Sequence, residues 1–340
     1  MLTPATFTTF TDAYLAVLRT IVDEPHAVTA GRGKDAWEVP NVSFRLTDPT
    51  ARTPYLAARR ANPVFNIAEF LWYVAGRDDI DMIGYYAPRL RQLSPDGTRL
   101  TGTAYGPRLF TPGGTDRRSQ FERALDLTVH EPDSKRAAML IMRPDELEDP
   151  HHPDVACTLA LQLMLRGGRL HMTGYMRGND AKIGLLCDVY SFTMILEFAA
   201  RLLRVPVGTY THHVGSMHIN TLDLDQVRAI LTEADTAPAA GPFPPDPMPA
   251  DTDWPVIDLV LHAEEALRAN RLPMPPADVS GMPLAPYWQR IVLLLEAYRQ
   301  IQHTTGPVTA DVLDALHPGH RWLLTQRWPD RVPATAGQPR

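Results

Sequence analysis

The chain has 340 residues, 44% of them apolar, and a formal charge of −6, which allows a sizeable core in one large domain or in one domain with an appendage. The acidic balance and the lack of long basic runs argue against a partner such as duplex nucleic acid, whose phosphates demand dense Lys and Arg. No apolar run reaches the roughly 20 residues that cross a bilayer, and MLTPATFTTFTDAYL carries no basic flank before an apolar block, so a cytoplasmic protein without a membrane partner is expected.

In chain order, residues 7–23, FTTFTDAYLAVLRTIVD, space their apolar side chains as an amphipathic helix with Thr and Asp near its start. Residues 66–76, NIAEFLWYVAG, predict a second helix that stops at Gly76. Residues 94–110 are turn-rich, 117–130 helical, and RAAMLIMRP at 136–144 reads as a buried strand closed by Pro144. Two runs, TLALQLMLR and RLHMTGYMR, flank Gly167 and Gly168 and predict a hairpin over 158–177 that returns Arg177 toward Cys157. Residues 189–204 carry the best helical pattern, and a strand is expected over 209–220. Residues 235–256, dense in Pro, Ala and Asp, read as a surface linker, followed by helices near 257–269 and 286–302 and a polar tail. The alternation predicts an α/β (α+β) domain with a mixed sheet and surrounding helices.

Two cysteines, Cys157 and Cys187, leave no disulfide framework, and twelve histidines occur without HExxH or a similar ligand set, so no metal is expected. A cysteine is most often a small buried apolar group; a nucleophilic thiol needs a neighbour that favours thiolate, and Arg177 and Arg143 are within reach in sequence. Guanidinium groups from separate segments can converge on one phosphate, or each can be a solvated charge. Glu69 lies on an otherwise apolar helix, either at its wet edge or as a buried carboxyl that moves protons. Asp188, alone, reads as a helix cap, and Cys187 as packing.

Taken together, the segments from about 30 to 228 resemble the thymidylate synthase family, closest to its pyrimidine nucleotide hydroxymethylase branch. EFLWYVAG at 69–76 is similar to the family's ELLWFLxG, YGPRLF at 105–110 to its YG before WR, and Asp133, Ser134, Lys135, Arg136 to its DSRR. Cys157 with Thr158 stands at the nucleophile position, as in deoxycytidylate hydroxymethylase; Arg177, Gly178, Asn179, Asp180 resemble RSxD, GLLCD at 184–188 resembles GLPFN, and GSMHIN at 215–220 resembles GDxHxY.

The resemblance implies the thymidylate synthase fold, a homodimer formed through the sheet, and 5,10-methylenetetrahydrofolate as co-substrate. It implies catalytic roles for Cys157, Glu69, Tyr105 and Asp188. It gives the substrate to Arg32, Lys135, Arg136, Arg177, Gly178, Asn179, Asp188, His218 and Asn220, with Lys135 and Arg136 reaching the partner's phosphate site. Asp180 and Glu69 would face the folate, and Tyr85 and Tyr86, in GYYAP where synthases have WDxW, would admit water rather than exclude it. Where synthases read uracil with Asn, this chain has Asp188, and a carboxyl suits cytosine's amino donor and ring-nitrogen acceptor. Gly178 and Asn220, in place of Ser and Tyr, point to ribose. The expected activity is therefore 5-hydroxymethylation of CMP, as in the nucleoside-antibiotic branch, with dCMP hydroxymethylation, synthase-like methylation or nucleotide binding without turnover as alternatives. Residues 1–232 would form the catalytic domain, 233–256 a Pro-rich linker, and 257–340 a mostly helical extension packed on the same domain.

Overall fold

The computed structural model describes residues 3–31, 33–236 and 243–334. Its strands are β1 (Ala5–Phe7), β2 (Ala27–Gly31), β3 (Lys34–Leu46), β4 (Ala138–Leu140), β5 (Thr158–Arg166), β6 (Arg169–Asp180) and β7 (Val207–Asn220). They form one mixed sheet in the order β1-β3-β7-β6-β5-β4, with β2 added to β3. β1 runs parallel to β3 and β6 parallel to β7, while the remaining neighbours are antiparallel.

The helices are α1 (Phe10–Asp23), α2 (Pro63–Val74), α3 (Ile80–Tyr86), α4 (Gly106–Phe110), α5 (Gln120–His130) and α6 (Gly184–Leu203). After them come α7 (Leu224–Thr236), α8 (Trp254–Arg268), α9 (Pro276–Ser280), α10 (Pro286–His303), α11 (Ala310–Ala315) and α12 (Pro318–Arg327). Helix α6 is the crossover that a parallel β6–β7 pair requires. It packs on both strands, and α2 lies against it.

Local chemistry explains these elements. The Thr9 hydroxyl caps α1 by accepting from Asp12 N, and Phe10, Tyr14, Val17, Leu18 and Ile21 then share one buried face. The Asn62 side chain caps α2 by accepting from Val64 N and Phe65 N, both at 3.1 Å, with Pro63 at the first helical position. Every α2 residue is buried, so this helix runs through the interior. At the 158–177 hairpin, Gly167 (φ +54°) and Gly168 (φ +69°) supply the two left-handed residues of a two-residue turn.

Several expectations are corrected. RAAMLIMRP yields only the three-residue edge strand β4, whose Leu140 is 64% exposed, because an edge strand is paired and covered on one side only. Helix α6 begins at Gly184, a turn before Asp188, so Asp188 is not its cap. The linker assignment falls partly on residues 237–242, outside the described residues. From Phe243 onward the chain is packed: the Phe243 ring lies tilted against Tyr55 at 4.9 Å, Met248 is buried, and Arg290 grips Asp246 through both carboxylate oxygens. The polar tail contains α11 and α12, and buries Trp322, Leu323 and Leu324; Pro, His and Arg dilute the apolar spacing there. The C-terminal helices join the same apolar cluster as the rest, with Trp254 edge-on to Phe198 at 4.9 Å.

Candidate active site

Cys157 directly precedes β5, and the β5–β6 ladder extends to it: Arg177 N donates to the Cys157 carbonyl at 2.9 Å. The hairpin thereby sets the Arg177 guanidinium beside the thiol. Nε donates to the Ala156 carbonyl at 2.8 Å and Nη2 to the Val155 carbonyl at 3.1 Å, which leaves Nη2 3.7 Å from Cys157 Sγ. A guanidinium fixed there stabilises negative charge on sulfur.

The opposite wall is held by a residue that spacing gave no reason to choose. The buried Asp154 carboxylate accepts from Thr101 N at 2.9 Å and from Gly102 N and Thr103 N at 2.8 Å. Gly102 is required in this contact, since a Cβ there would stand 2.4 Å from the Asp154 carbonyl oxygen. The clamp ties the 101–105 loop to the segment that carries Cys157 into β5 and so positions Tyr105, which stacks on Tyr73 at 5.2 Å. Burial, with Asp188 and Cys157 nearby, raises the Tyr105 hydroxyl well above its ordinary pKa.

Two carboxyl groups, Glu69 buried and Asp188 half-buried, line the same cavity. On α2, Glu69 is 6% exposed and accepts from Ser191 Oγ at 2.7 Å. Burial pushes its pKa up to about 7, against the opposing pull of Ser191, Arg89 and Tyr73. On α6, Asp188 is raised well above the usual carboxylate range, first by burial and then by the charge of Glu69. Two acids so placed do not both ionise freely near neutral pH.

These groups bound one cavity of about 180 Å³, lined by Glu69, Tyr105, Cys157, Asn179, Asp180 and Asp188 among others. Gly178 lies on its wall, as do two residues not assigned there from sequence, Arg89 and Cys187. The Cys187 thiol is pushed up by burial. Asp180 is oriented by Ile183 N at 2.8 Å and by the Asn220 amide nitrogen at 2.7 Å.

The remaining expected residues lie elsewhere. His218, on β7, pairs with Asp180 in register but does not line the cavity. Lys135 and Arg136 precede β4 and are exposed, Arg136 paired with Glu131, and neither reaches the cavity of its own chain. Arg32 is outside the described residues. Tyr85 and Tyr86 are not among the residues that line this cavity. The Tyr86 hydroxyl donates to Glu264 at 2.8 Å, and Tyr85 packs edge-on to Tyr298 at 5.3 Å, so both rings are taken up by the C-terminal helices.

A second cavity, about 620 Å³, lies on the far side of α6 between Arg52, Tyr55, Tyr190, Tyr287 and His317. Its size does not make it the chemical site: Arg52 is committed to Glu197, Asp246 to Arg290, and Glu233 to the Ala57 and Ala58 N–H groups. Among the described residues no group of three or more His, Cys, Asp or Glu side chains is placed to hold a metal ion, and no helix is long and apolar enough to cross a membrane.

The sheet, the crossover helix and the cysteine-centred cavity define a known class. The thymidylate synthase family profile matches residues 12–241, and the chain belongs to that family. It is 32% identical over 251 residues to a deoxyuridylate hydroxymethyltransferase of Bacillus phage SP01, covering 68% of this chain and 65% of that protein. It is 28% identical over 208 residues to a deoxyuridylate hydroxymethyltransferase of Delftia phage PhiW-14, covering 58% and 56%. To a thymidylate synthase of Symbiobacterium thermophilum it is 29% identical over 177 residues, covering 48% and 62%. The chain thus spans less than two thirds of the length of each of these relatives. The solved structure of thermostable thymidylate synthase A from Bacillus subtilis matches with a TM-score of 0.54 at 22% identity, over 66% of this chain and 84% of that one, which shows the shared fold.

Proposed function

We propose that this protein transfers a one-carbon unit to C5 of a pyrimidine nucleotide and completes the reaction with water, giving a 5-hydroxymethyl nucleotide, with CMP as substrate. The observation that carries the reading is the convergence of Cys157, Glu69, Tyr105 and Asp188 on one cavity, with Arg177 at the sulfur. Cys157 attacks C6 of the ring, and C5 becomes nucleophilic. Bound methylenetetrahydrofolate supplies the one-carbon unit; Asp180, already oriented by Asn220 and Ile183 N, is a fitting acceptor for its ring N–H groups. Loss of the C5 proton and of tetrahydrofolate leaves an exocyclic methylene; Glu69, poised near neutrality, holds the water that adds there and takes its proton, and the returning electron pair expels Cys157 from C6 as thiolate. Arg177 also faces the phosphate, which Arg32 and the partner's Lys135 and Arg136 complete in a homodimer. The helices after residue 256 buttress this unit.

Hydroxymethylation is supported by the relatives' activity and by Glu69, no longer by Tyr85 and Tyr86. Cytosine is supported by Asp188. Ribose is supported by the room at Gly178, where a Cβ would meet only the Ser216 carbonyl oxygen, at 3.7 Å; Asn220 already gives its amide hydrogen to Asp180. Uracil is the second reading, because the SP01 relative is a deoxyuridylate enzyme. Incubation with CMP, dCMP, UMP and dUMP plus methylenetetrahydrofolate in tritiated water, with product identified by mass, decides among them. Preferred turnover of CMP to the hydroxymethyl product is expected. Product from uracil nucleotides alone overturns the cytosine assignment, and dihydrofolate formation marks methylation.

A further inference from the structure

The larger cavity, about 620 Å³, falls in the roughly 300–1,000 Å³ range of small-molecule sites and shares no lining residue with the cysteine-centred one. Its walls include the rings of Tyr55, Tyr190 and Tyr287. Tyr190 and Tyr287 are 6% and 7% exposed, and Tyr55 lies edge-on to Trp322 at 6.1 Å, so packing fixes these rings. Tyr190 stands on α6, and its hydroxyl makes no hydrogen bond among the described residues. That hydroxyl is within electrostatic range of Tyr55, Tyr287 and Asp246, which line the same cavity, so it faces the cavity interior. A phenol held there calls for a polar partner.

The charge of the lining is one-sided. Arg52 is committed to Glu197, and Asp246 to Arg290. His317 and His320 add no positive charge, because burial lowers the pKa of both. Asp12, Asp48 and Glu233 remain, and their partners among the described residues are neutral: the Thr9 hydroxyl, the Thr50 hydroxyl and amide, and the Ala57 and Ala58 amides. Asp48 N donates to the Thr8 carbonyl at 3.1 Å and Phe10 N to the Ala51 carbonyl at 3.0 Å, which lays the 48–51 loop against the start of α1 and brings Asp48 near Asp12. Unbalanced carboxylates beside aromatic faces attract a cation that carries an apolar body.

We propose that this cavity is a binding site for a small organic ammonium ion, its apolar or aromatic body held among Tyr55, Tyr190 and Tyr287 and its charge directed to Asp12, Asp48 and Glu233. The Tyr190 hydroxyl accepts a hydrogen from the ligand. The site does not depend on which nucleotide the enzyme takes.

Isothermal titration calorimetry of the whole chain with 2-phenylethylammonium, 2-phenylethanol and 3-phenylpropionate tests this. The ammonium ion is expected to bind saturably, at least about tenfold tighter than the alcohol, with no binding of the carboxylate and an affinity that falls as salt is added. Asp48→Asn keeps an oxygen for Thr50, and Tyr190→Phe keeps the ring; each should weaken ammonium binding by about three- to tenfold in a protein whose melting temperature shows it to be folded. Should Tyr190→Phe fail to fold, Asp48→Asn, half-exposed at the rim, carries the test by itself. Equal affinity for the ammonium ion and the alcohol, no saturable ammonium binding, or an ammonium affinity unchanged in either folded variant overturns the proposal.

Discussion

At the scale of single residues, the proposed reaction separates into a sulfur that bonds carbon and carboxyls that handle protons. Replacing Cys157 with Ser keeps the shape of the site but exchanges sulfur for a far weaker oxygen nucleophile, so kcat should fall by more than about a thousandfold. Nucleotide binding, read by calorimetry, should change only a few-fold; surviving turnover refutes the nucleophile. Glu69 carries the pH dependence. Its ordinary pKa is 4.5 and its folded value about 7, so the folded state holds a proton the unfolded chain has lost across that window. Its contribution to stability is therefore present below pH 4.5 and is lost as pH rises toward 7. Glu69→Gln should flatten that part of the melting-temperature profile. It should also erase the inflection near pH 7 in kcat and lower kcat by about 10²–10⁴-fold. Cys157, Glu69 and Asp188 were legible in the sequence because motif order names them. Asp154 and Ser191 were not, since each acts through a partner 51 to 122 positions away, as in the Ser191 bond to Glu69.

At the scale of elements, the hairpin is the part of the site that local rules specify furthest. Paired glycines set the turn and period-two alternation the strands, and a register shift between Thr158 and Ala160 then brings Arg177 opposite Cys157. The 101–105 loop is the contrary case. Its conformation comes from the Asp154 carboxylate, and nothing in SPDGTRLTGTAYG announces that clamp. Gly102→Ala pushes a methyl into the Asp154 and Val155 backbone, with contacts of 2.4 to 2.6 Å. Denaturant unfolding should show a loss of about 1–3 kcal/mol, and turnover should fall as Tyr105 shifts from Cys157. Retention of both would show that the clamp does not position the tyrosine. The tyrosines of α3 teach the same lesson in reverse: their place in the motif suggested the cavity, but Glu264 and Tyr298 compete for them more effectively.

At the scale of the molecule, helices α1 and α6 pack on the sheet, and its other face presents Tyr175 stacked on His213, which bonds Ser43. Such a face, with Tyr175 36% exposed, suits a second copy of the chain, and sedimentation should find a dimer. A fully active monomer contradicts both the dimer and the partner-borne role of Lys135 and Arg136. The C-terminal helices are bound in through Trp254, which meets Phe110, Phe121 and Phe198. Trp254→Ala should cost about 3–5 kcal/mol in unfolding free energy, which a loosely tethered appendage would not show.

The sequence alone determined the family, the sheet-forming hairpin, the central helix and the candidates for the reactive residues, because periodicity, turn chemistry and ordered motifs are written along the chain. Tertiary structure decided which carboxyls are desolvated and which tyrosines belong to the core. Desolvation and hydrogen-bond direction depend on groups that arrive from distant strands and helices, and one-dimensional spacing does not contain those arrivals.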